Sequence, residues 1–454
     1  MTVFYSFLFI ILYAKIKNFF TVSFILSIFS FSFFRPGKSY IIEIIRGSDL
    51  LLPHLKEGYF LGYGVTISFI FLLLTGVFLL KELHSNNKIR QILLQKKEIA
   101  ITLVCSVVFI FTGLVSSYLY SPFFLLSFVW LIQYSFLLVV ALSTFTIKHL
   151  KKTNLLFAAL IASSLFQFAL VLLQFLKQRS IGLEIEFNIL QPQFFTGLDE
   201  VNTFFRVNGT FMYHNQLALI CTIFFVIFFV LSLYEKRKSL TKLLLLATIT
   251  NVVAIIFTQT RTMWLVLPLT FVVIYFFDKS KLSNIQNFFK DVNIKLLIFL
   301  CILLFSIILP RTFNSFNATS KGSGIWIRVE MISEGLLALQ GSPIVGYGIA
   351  TNEHTLFKQF PLGIMSVYPA AIHMAFLQLA LEVGVLGLFA FLLPFVTLIR
   401  YFIVNKVKNK YALIYLCGIF VFASYYSLQP HVFILEGQYL GLIFGLGIIG
   451  IYEK

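Results

Sequence analysis

The segment "IIFTQTRTMWLVLP", residues 255–268, sets one arginine between two apolar flanks. From about 239 to 277 the chain is otherwise apolar enough for lipid, and as a single helix it would extend roughly 58 Å, nearly twice the ~30 Å hydrocarbon core of a bilayer. It must therefore turn, and "TQTRT" (258–262) is its polar interruption. Arg261 then stands at a membrane boundary, where its guanidinium meets either an ordinary phospholipid headgroup or a substrate anion.

The rest of the chain agrees with a membrane setting. Of 454 residues, 59% are hydrophobic and 12% charged, and the mean hydropathy is +0.93. Such a chain cannot cover itself with polar surface in water, which excludes a soluble enzyme. The net charge of +17 is scattered over short loops and forms no nucleic-acid-binding module, so anionic lipid is the expected partner and nucleic acid is not. Cys105, Cys221, Cys301 and Cys417 lie in apolar runs without a CxxC pair and read as buried small hydrophobes.

Runs long enough to span occur near 18–34, 60–80, 98–118, 121–143, 153–176, 215–234, 240–258, 262–277, 294–310, 383–403, 412–428 and 436–452. The fold expected is an all-α polytopic membrane protein, one domain over 1–454, with about 12 transmembrane helices. Residues 3–14 are short for a span and read as an interfacial segment, a thirteenth span or an uncleaved signal, since no convincing small-residue cleavage site follows them. Alternate loops that include the N-terminus hold 21 Lys and Arg in about 77 residues, against 12 in about 147 for the others. That asymmetry puts the C-terminus in the cytoplasm and two long loops, 177–214 and 311–382, outside. The second precedes the last three spans. It opens on the polar "NSFNATSKGSG" and continues with a stretch near 325–340 whose Val329, Ile332, Leu336 and Leu339 recur at helical spacing, as in a surface-lying amphipathic helix. "GSPIVGYGIA" then breaks the pattern.

Three segments carry candidate chemistry. Arg261 is the first. In "FFRVNGTFMYHNQLA", Arg206 precedes a helix start with Gly209, His214 and Asn215 following; glycine admits close backbone approach to a ligand, and helix N-termini favour anions. The alternative is a solvated loop arginine among turn residues. "NGT" (208–210) and "NAT" (317–319) match the glycosylation sequon, a pattern short enough to arise by chance. In "HMAFLQLALEVGVLG", one continuous helix would bring His373, Ala380, Gly384 and Gly387 within about 60° of one another. Either a helix or a lipid chain packs closely on such small residues.

Together these segments resemble the O-antigen ligase and O-antigen polymerase superfamily of bacterial membrane glycosyltransferases. "RVNGTFMYHNQLA" is similar to its Arg, Gly-Thr-Phe, Pro-Asn and Leu-Ala segment, and "TQTRT" to its Ser-Arg or Thr-Arg turn. "GIWIRVEMISEGLLALQGSPIVGYG" resembles the loop segment with Arg328, a helix and Pro-x-x-Gly-x-Gly. "HMAFLQLALEVGVLG" resembles the ligases' histidine pattern through His373, Gly384 and Gly387, although Met374 stands where a hydrogen-bonding residue is usual and "YHN" replaces His-Pro-Asn.

The resemblance implies transfer of a glycan from a polyprenyl-diphosphate carrier to an acceptor hydroxyl of a glycan, lipid or protein, at the outer face of the bacterial cytoplasmic membrane. It implies an inverting reaction without metal or other cofactor. Arg206 and Arg261 would stabilise the leaving diphosphate and His373 would act as general base. Arg328, Asn215, Gly209, Gly346, Gly348, Gly384 and Gly387 would bind substrate. The alternatives are an O-antigen or capsular polymerase acting on lipid-linked repeat units and, from another class, a polysaccharide transporter or lipid flippase, which would place its polar residues near the midplane.

Overall fold

The computed structural model describes residues 2–30, 67–122, 124–182, 206–211, 213–290, 324–367, 371–429 and 433–453. Among them lie sixteen α-helices and no strand. They are α1 (Thr2–Ile16), α2 (Phe19–Ser30), α3 (Ile67–Ser85), α4 (Asn87–Leu94), α5 (Lys97–Tyr120), α6 (Phe124–His149), α7 (Thr153–Lys177) and α8 (His214–Tyr234). α9 (Lys238–Thr258), α10 (Arg261–Lys290), α11 (Gly324–Gly341), α12 (Asn352–Gln359), α13 (Ile364–Val367), α14 (Ala375–Val404), α15 (Lys410–Tyr426) and α16 (Phe433–Tyr452) follow.

The all-helical architecture is as expected, but the described residues do not reach twelve spans. Seven helices are long and apolar enough: α5, α6, α7, α8, α9, the Arg261–Asp278 part of α10, and α14. The pair α3 and α4 makes an eighth only if counted as one span, since it bends by 95°. The bend falls where the apolar run gives way to "NKIRQILL", whose Asn86 side chain accepts from Ile89 N–H and starts a new helix. α2, α15 and the Glu436–Tyr452 part of α16 are apolar but shorter. α1 has 15 residues, below span length, and parts from α2 where Lys17 adopts positive φ. The run at 294–310, most of the loop 177–214 and the "NSFNATSKGSG" segment lie outside the described residues.

α8 is the central helix, with 94% of its apolar window buried, as expected for a helix hydrophobic on every face. α9 packs along it, and α16 lies along α6. The second contact depends on small residues: a Cβ at Gly441 or Gly445 would come within 2.5 Å of Leu137 O or 2.6 Å of Ala141 O, so the two backbones approach to near contact. On the outer surface, Val104, Val107 and Phe111 of α5 and Phe389, Leu393 and Val396 of α14 are exposed, as suits lipid-facing positions.

The bundle has two chemically different ends. At one, Lys148 of α6 pairs with Glu453 beyond α16, and Asn409 before α15 donates to Gly450 O and Glu453 O. Lys96, Lys148, Lys406, Lys408 and Lys410 border this end. At the other meet the C-terminus of α5, the N-termini of α6, α8, α10 and α14, and the turn after α15. The candidate residues gather there.

Candidate functional site

The turn at 259–260 does what the length of the run demanded. α9 stops because Gln259 adopts the left-handed conformation (φ 54°) and donates its backbone N–H to Ile256 O. Thr260 O then accepts from Met263 and Trp264 N–H, opening α10 with Arg261 as its first residue. A cation at a helix N-terminus opposes the macrodipole, typically by ~0.3–1 kcal/mol. No acidic residue lies in that first turn, and Arg261 has no ion pair among the described residues. Its side chain is exposed. Fold stability alone gives no reason for a cation there.

Arg206 is placed differently. It is buried, and its Nε donates to Thr258 O at 3.0 Å while Nη2 donates to Gln259 O and Asn215 Oδ1, each at 3.4 Å. It thus satisfies the orphan carbonyls at the end of α9 and holds the turn from behind. Asn215 Oδ1 also accepts from Thr260 Oγ1 at 3.2 Å, and Asn215 Nδ2 donates to Gln429 Oε1 at 2.9 Å. Gln429 O in turn accepts the first N–H of α14, from Ala375, at 3.1 Å. One hydrogen-bonded path therefore runs from the Arg261 turn to the start of α14.

The "NGT" segment is also held by side chains. Gln167 and Gln174, seven apart on α7, share one face. Gln174 accepts from Gly209 N–H and donates to Gly209 O, both at 2.9 Å, and Gln167 Nε2 donates to Thr210 Oγ1 at 2.6 Å. A Cβ at Gly209 would collide with Gln167 Oε1, so its missing side chain makes room for this bracket. Asn208 is buried and donates to Phe211 O, which removes "NGT" as a glycosylation acceptor; "NAT" lies outside the described residues.

His373 does not lie on the α14 helix. The helix begins at Ala375, and His373 precedes it with Nδ1 3.1 Å from Ala371 O. A proton on Nδ1 makes that contact a hydrogen bond and leaves the Nε2 lone pair free. Burial, and then the charge of Arg328, push the imidazole down to about 4, against a weaker opposing pull from Ala371 O. Arg328 is itself shifted down, first by burial and then by the charge of Arg261. Arg328 thus lies within the field of Arg261, and His373 within that of Arg328, although the three are far apart in sequence.

α11, which carries Arg328, packs on α14. Met331 and Ala338 are buried against Leu356, Leu377 and Leu381, with Ile332 and Leu339 at the margin. Val329 and Leu336 are exposed.

The continuous stripe expected through Gly384 is also corrected. α14 is broken there, with Gly384 at φ 73°, ψ 173°, because the "SPIVGYG" segment crosses it. Val385 N–H donates to Pro343 O at 2.8 Å, Tyr347 N–H to Leu381 O at 2.9 Å and Gly348 N–H to Glu382 O at 2.8 Å. The groups freed by the break are taken up by the crossing strand of chain, which makes the break tolerable within a bundle. Only residues without Cβ fit: one on Gly384 would overlap Ile344, and one on Gly346 would strike Glu382 and Gly384. Gly348 and Gly387 likewise abut Ser117 with Ser121, and Val383 with Thr112. The space beside all five glycines named from the sequence is filled by the protein's own atoms.

The structure therefore brings Arg261, Arg328 and His373 into one electrostatic cluster and puts Arg206 and Asn215 behind it as bracing. Gln167, Gln174 and Gln429 were missed. Two glutamines one face apart in an otherwise apolar helix were a usable signal; Gln429 offered none.

Fold and site define a multi-span helical membrane protein with a cationic cluster at one end. Residues 246–392 match the family model described as O-Antigen ligase. The matched range includes Arg261, Arg328, His373, Gly384 and Gly387. Arg206, Gly209 and Asn215 precede it. No curated protein matches the chain.

Proposed function

We propose that the protein is an O-antigen-ligase-like glycosyltransferase that moves a glycan from a polyprenyl-diphosphate carrier to an acceptor hydroxyl. The observation that carries this reading is that Arg261 acts on Arg328 and Arg328 on His373, with no ion pair to any of the three among the described residues. Held cations of this kind fit a ligand with several negative charges, and planar guanidinium forks fit phosphate oxygens.

In the reaction, the acceptor oxygen attacks the anomeric carbon as the bond from that carbon to the diphosphate oxygen breaks. The departing diphosphate takes the electron pair, and its growing charge is met by Arg261 and Arg328. The acceptor hydroxyl proton passes to His373 Nε2. Arg206 acts behind Arg261 as a positioning residue. Because backside attack inverts the anomeric centre, no carboxylate nucleophile is required. The basic end of the bundle faces the cytoplasm under the positive-inside rule, which puts the cluster on the extracytoplasmic side.

Met374 packs among Met331, Leu356 and Leu377, and so supplies no hydrogen bond where ligases usually have one. Ligase and polymerase are separated by reconstituting the purified protein with a defined polyprenyl-diphosphate oligosaccharide. Single-step transfer to an added acceptor supports the ligase; a product ladder without acceptor marks a polymerase. Passage of lipid-linked sugar across the bilayer without turnover overturns both.

A further inference from the structure

Behind the cluster lies a second pair of ionisable groups with no part in the transfer. Glu382 is buried at the break in α14. Its Oε1 accepts from Asn352 Nδ2 at 2.8 Å and from Gln378 Nε2 at 3.2 Å, and the backbone of Ala350 also donates to the carboxylate. Glu353, next to Asn352 on α12, is equally buried, and its Oε2 has no hydrogen-bond partner. The charge of Glu382 acts on Glu353. Glu382 is held by these donors, whereas Glu353 Oε2 meets none, and a buried carboxyl oxygen without a donor favours the protonated form of Glu353.

We infer that Glu353 carries a proton when the segment 346–359 is docked, and that this proton locks the segment onto the broken α14. Glu382 already accepts from three donors, and a proton on Glu353 relieves the repulsion between the two carboxyls. The same segment is fastened by Gly348 N–H to Glu382 O, by Ile349 N–H to Ser117 Oγ at 3.1 Å and by Ser127 Oγ to Ile349 O at 2.6 Å. It joins α11, which carries Arg328, to the helix that follows His373. Losing the proton would thus loosen the part of the fold that sets Arg328 against His373.

The neighbouring charges support this assignment. α12 packs on α11, α13 and α14. α13 has no titratable side chain; on α11, Glu330 acts on Glu334, which caps Ile364, and Arg328 faces His373. On α12 itself, His354 feels Lys358. Glu382 is the charged group that reaches Glu353, and together with burial it raises Glu353 to about 7. The docked segment therefore holds a proton that the released one gives up. Docking is fully supported below the ordinary value of 4.5 and is lost as pH rises through about 7.

The test is hydrogen exchange on the full-length protein in lipid nanodiscs, comparing wild type with Glu353→Gln at each pH so that the intrinsic exchange rate cancels. In wild type, protection over 346–359 should fall relative to the variant by up to about tenfold per pH unit through the acidic range and level off above about pH 7. Equal protection at every pH would overturn the inference. Glu382→Gln, which removes the repelling charge, should shrink the loss; an undiminished loss would also contradict it. The readout is structural and does not rest on the glycosyltransfer reading, so either can fail without the other.

Discussion

Asn215 Nδ2 donates to Gln429 Oε1 at 2.9 Å, and this bond joins the two halves of the candidate site. Asn215 belongs to the start of α8 and contacts the Arg206–Thr260 side; Gln429 follows α15 and holds the first N–H of α14. Both residues are polar groups within an apolar bundle, where an unmade hydrogen bond is costly. Asn215→Leu should lower stability by about 1–3 kcal/mol, because Gln429 and Thr260 lose a buried partner. Thermal unfolding in detergent measures this. Turnover should fall further than the loss of folded protein explains.

Arg206 and Arg261 should separate in their effects. Arg206→Gln leaves the carbonyls of Thr258 and Gln259 without their charged donor, a loss of about 2–3 kcal/mol. Arg261→Gln removes an exposed cation from a helix N-terminus and should leave the melting temperature unchanged or slightly raised. A parallel drop in both variants would contradict the division into brace and clamp.

The pH profile reports on His373. Transfer needs the neutral ring, so the rate rises with pH through its titration. In the free enzyme that limb of kcat/KM should lie near the lowered value of about 4. Bound diphosphate favours the protonated ring and should move the limb of kcat to higher pH. Arg328→Gln removes a repelling cation and should raise the kcat/KM limb toward the ordinary histidine range. Its failure to move would disconnect Arg328 from His373.

Gly384→Ala should be strongly destabilising. The backbone at φ 73°, ψ 173° is essentially confined to glycine and costs a residue with Cβ about 1–3 kcal/mol, and the methyl would also overlap Ile344. Gly182→Ala is the control: its φ is 89° but nothing lies within 4 Å, so only the backbone cost applies. The difference between their melting temperatures isolates the crossing of "SPIVGYG" over α14.

Much of the fold was legible because lipid imposes a simple length rule. The turn at 259–260 follows from the run around Arg261 being too long for one span. The rule fails where tertiary bonds substitute for helix continuity. Nothing in "LALEVGVLG" alone distinguishes an unbroken helix from one opened at Gly384, since the break is stabilised by the distant Pro343 and Tyr347. Likewise, Arg206 and Arg261 look alike as arginines beside helix starts, and only the carbonyls of Thr258 and Gln259 show that one of them is already engaged. The glycines were legible as places of close approach, though what approaches them is the protein itself.

The central claim is that Arg261 meets a lipid-linked diphosphate, and the most direct measurement is single-turnover transfer by Arg261→Ala, Arg261→Lys and wild type in liposomes with a defined polyprenyl-diphosphate oligosaccharide and its acceptor. Loss of one charge-stabilising donor predicts a rate about 10²–10³-fold lower for Arg261→Ala, with Arg261→Lys restoring only part of it. Undiminished transfer by a folded Arg261→Ala would contradict the account.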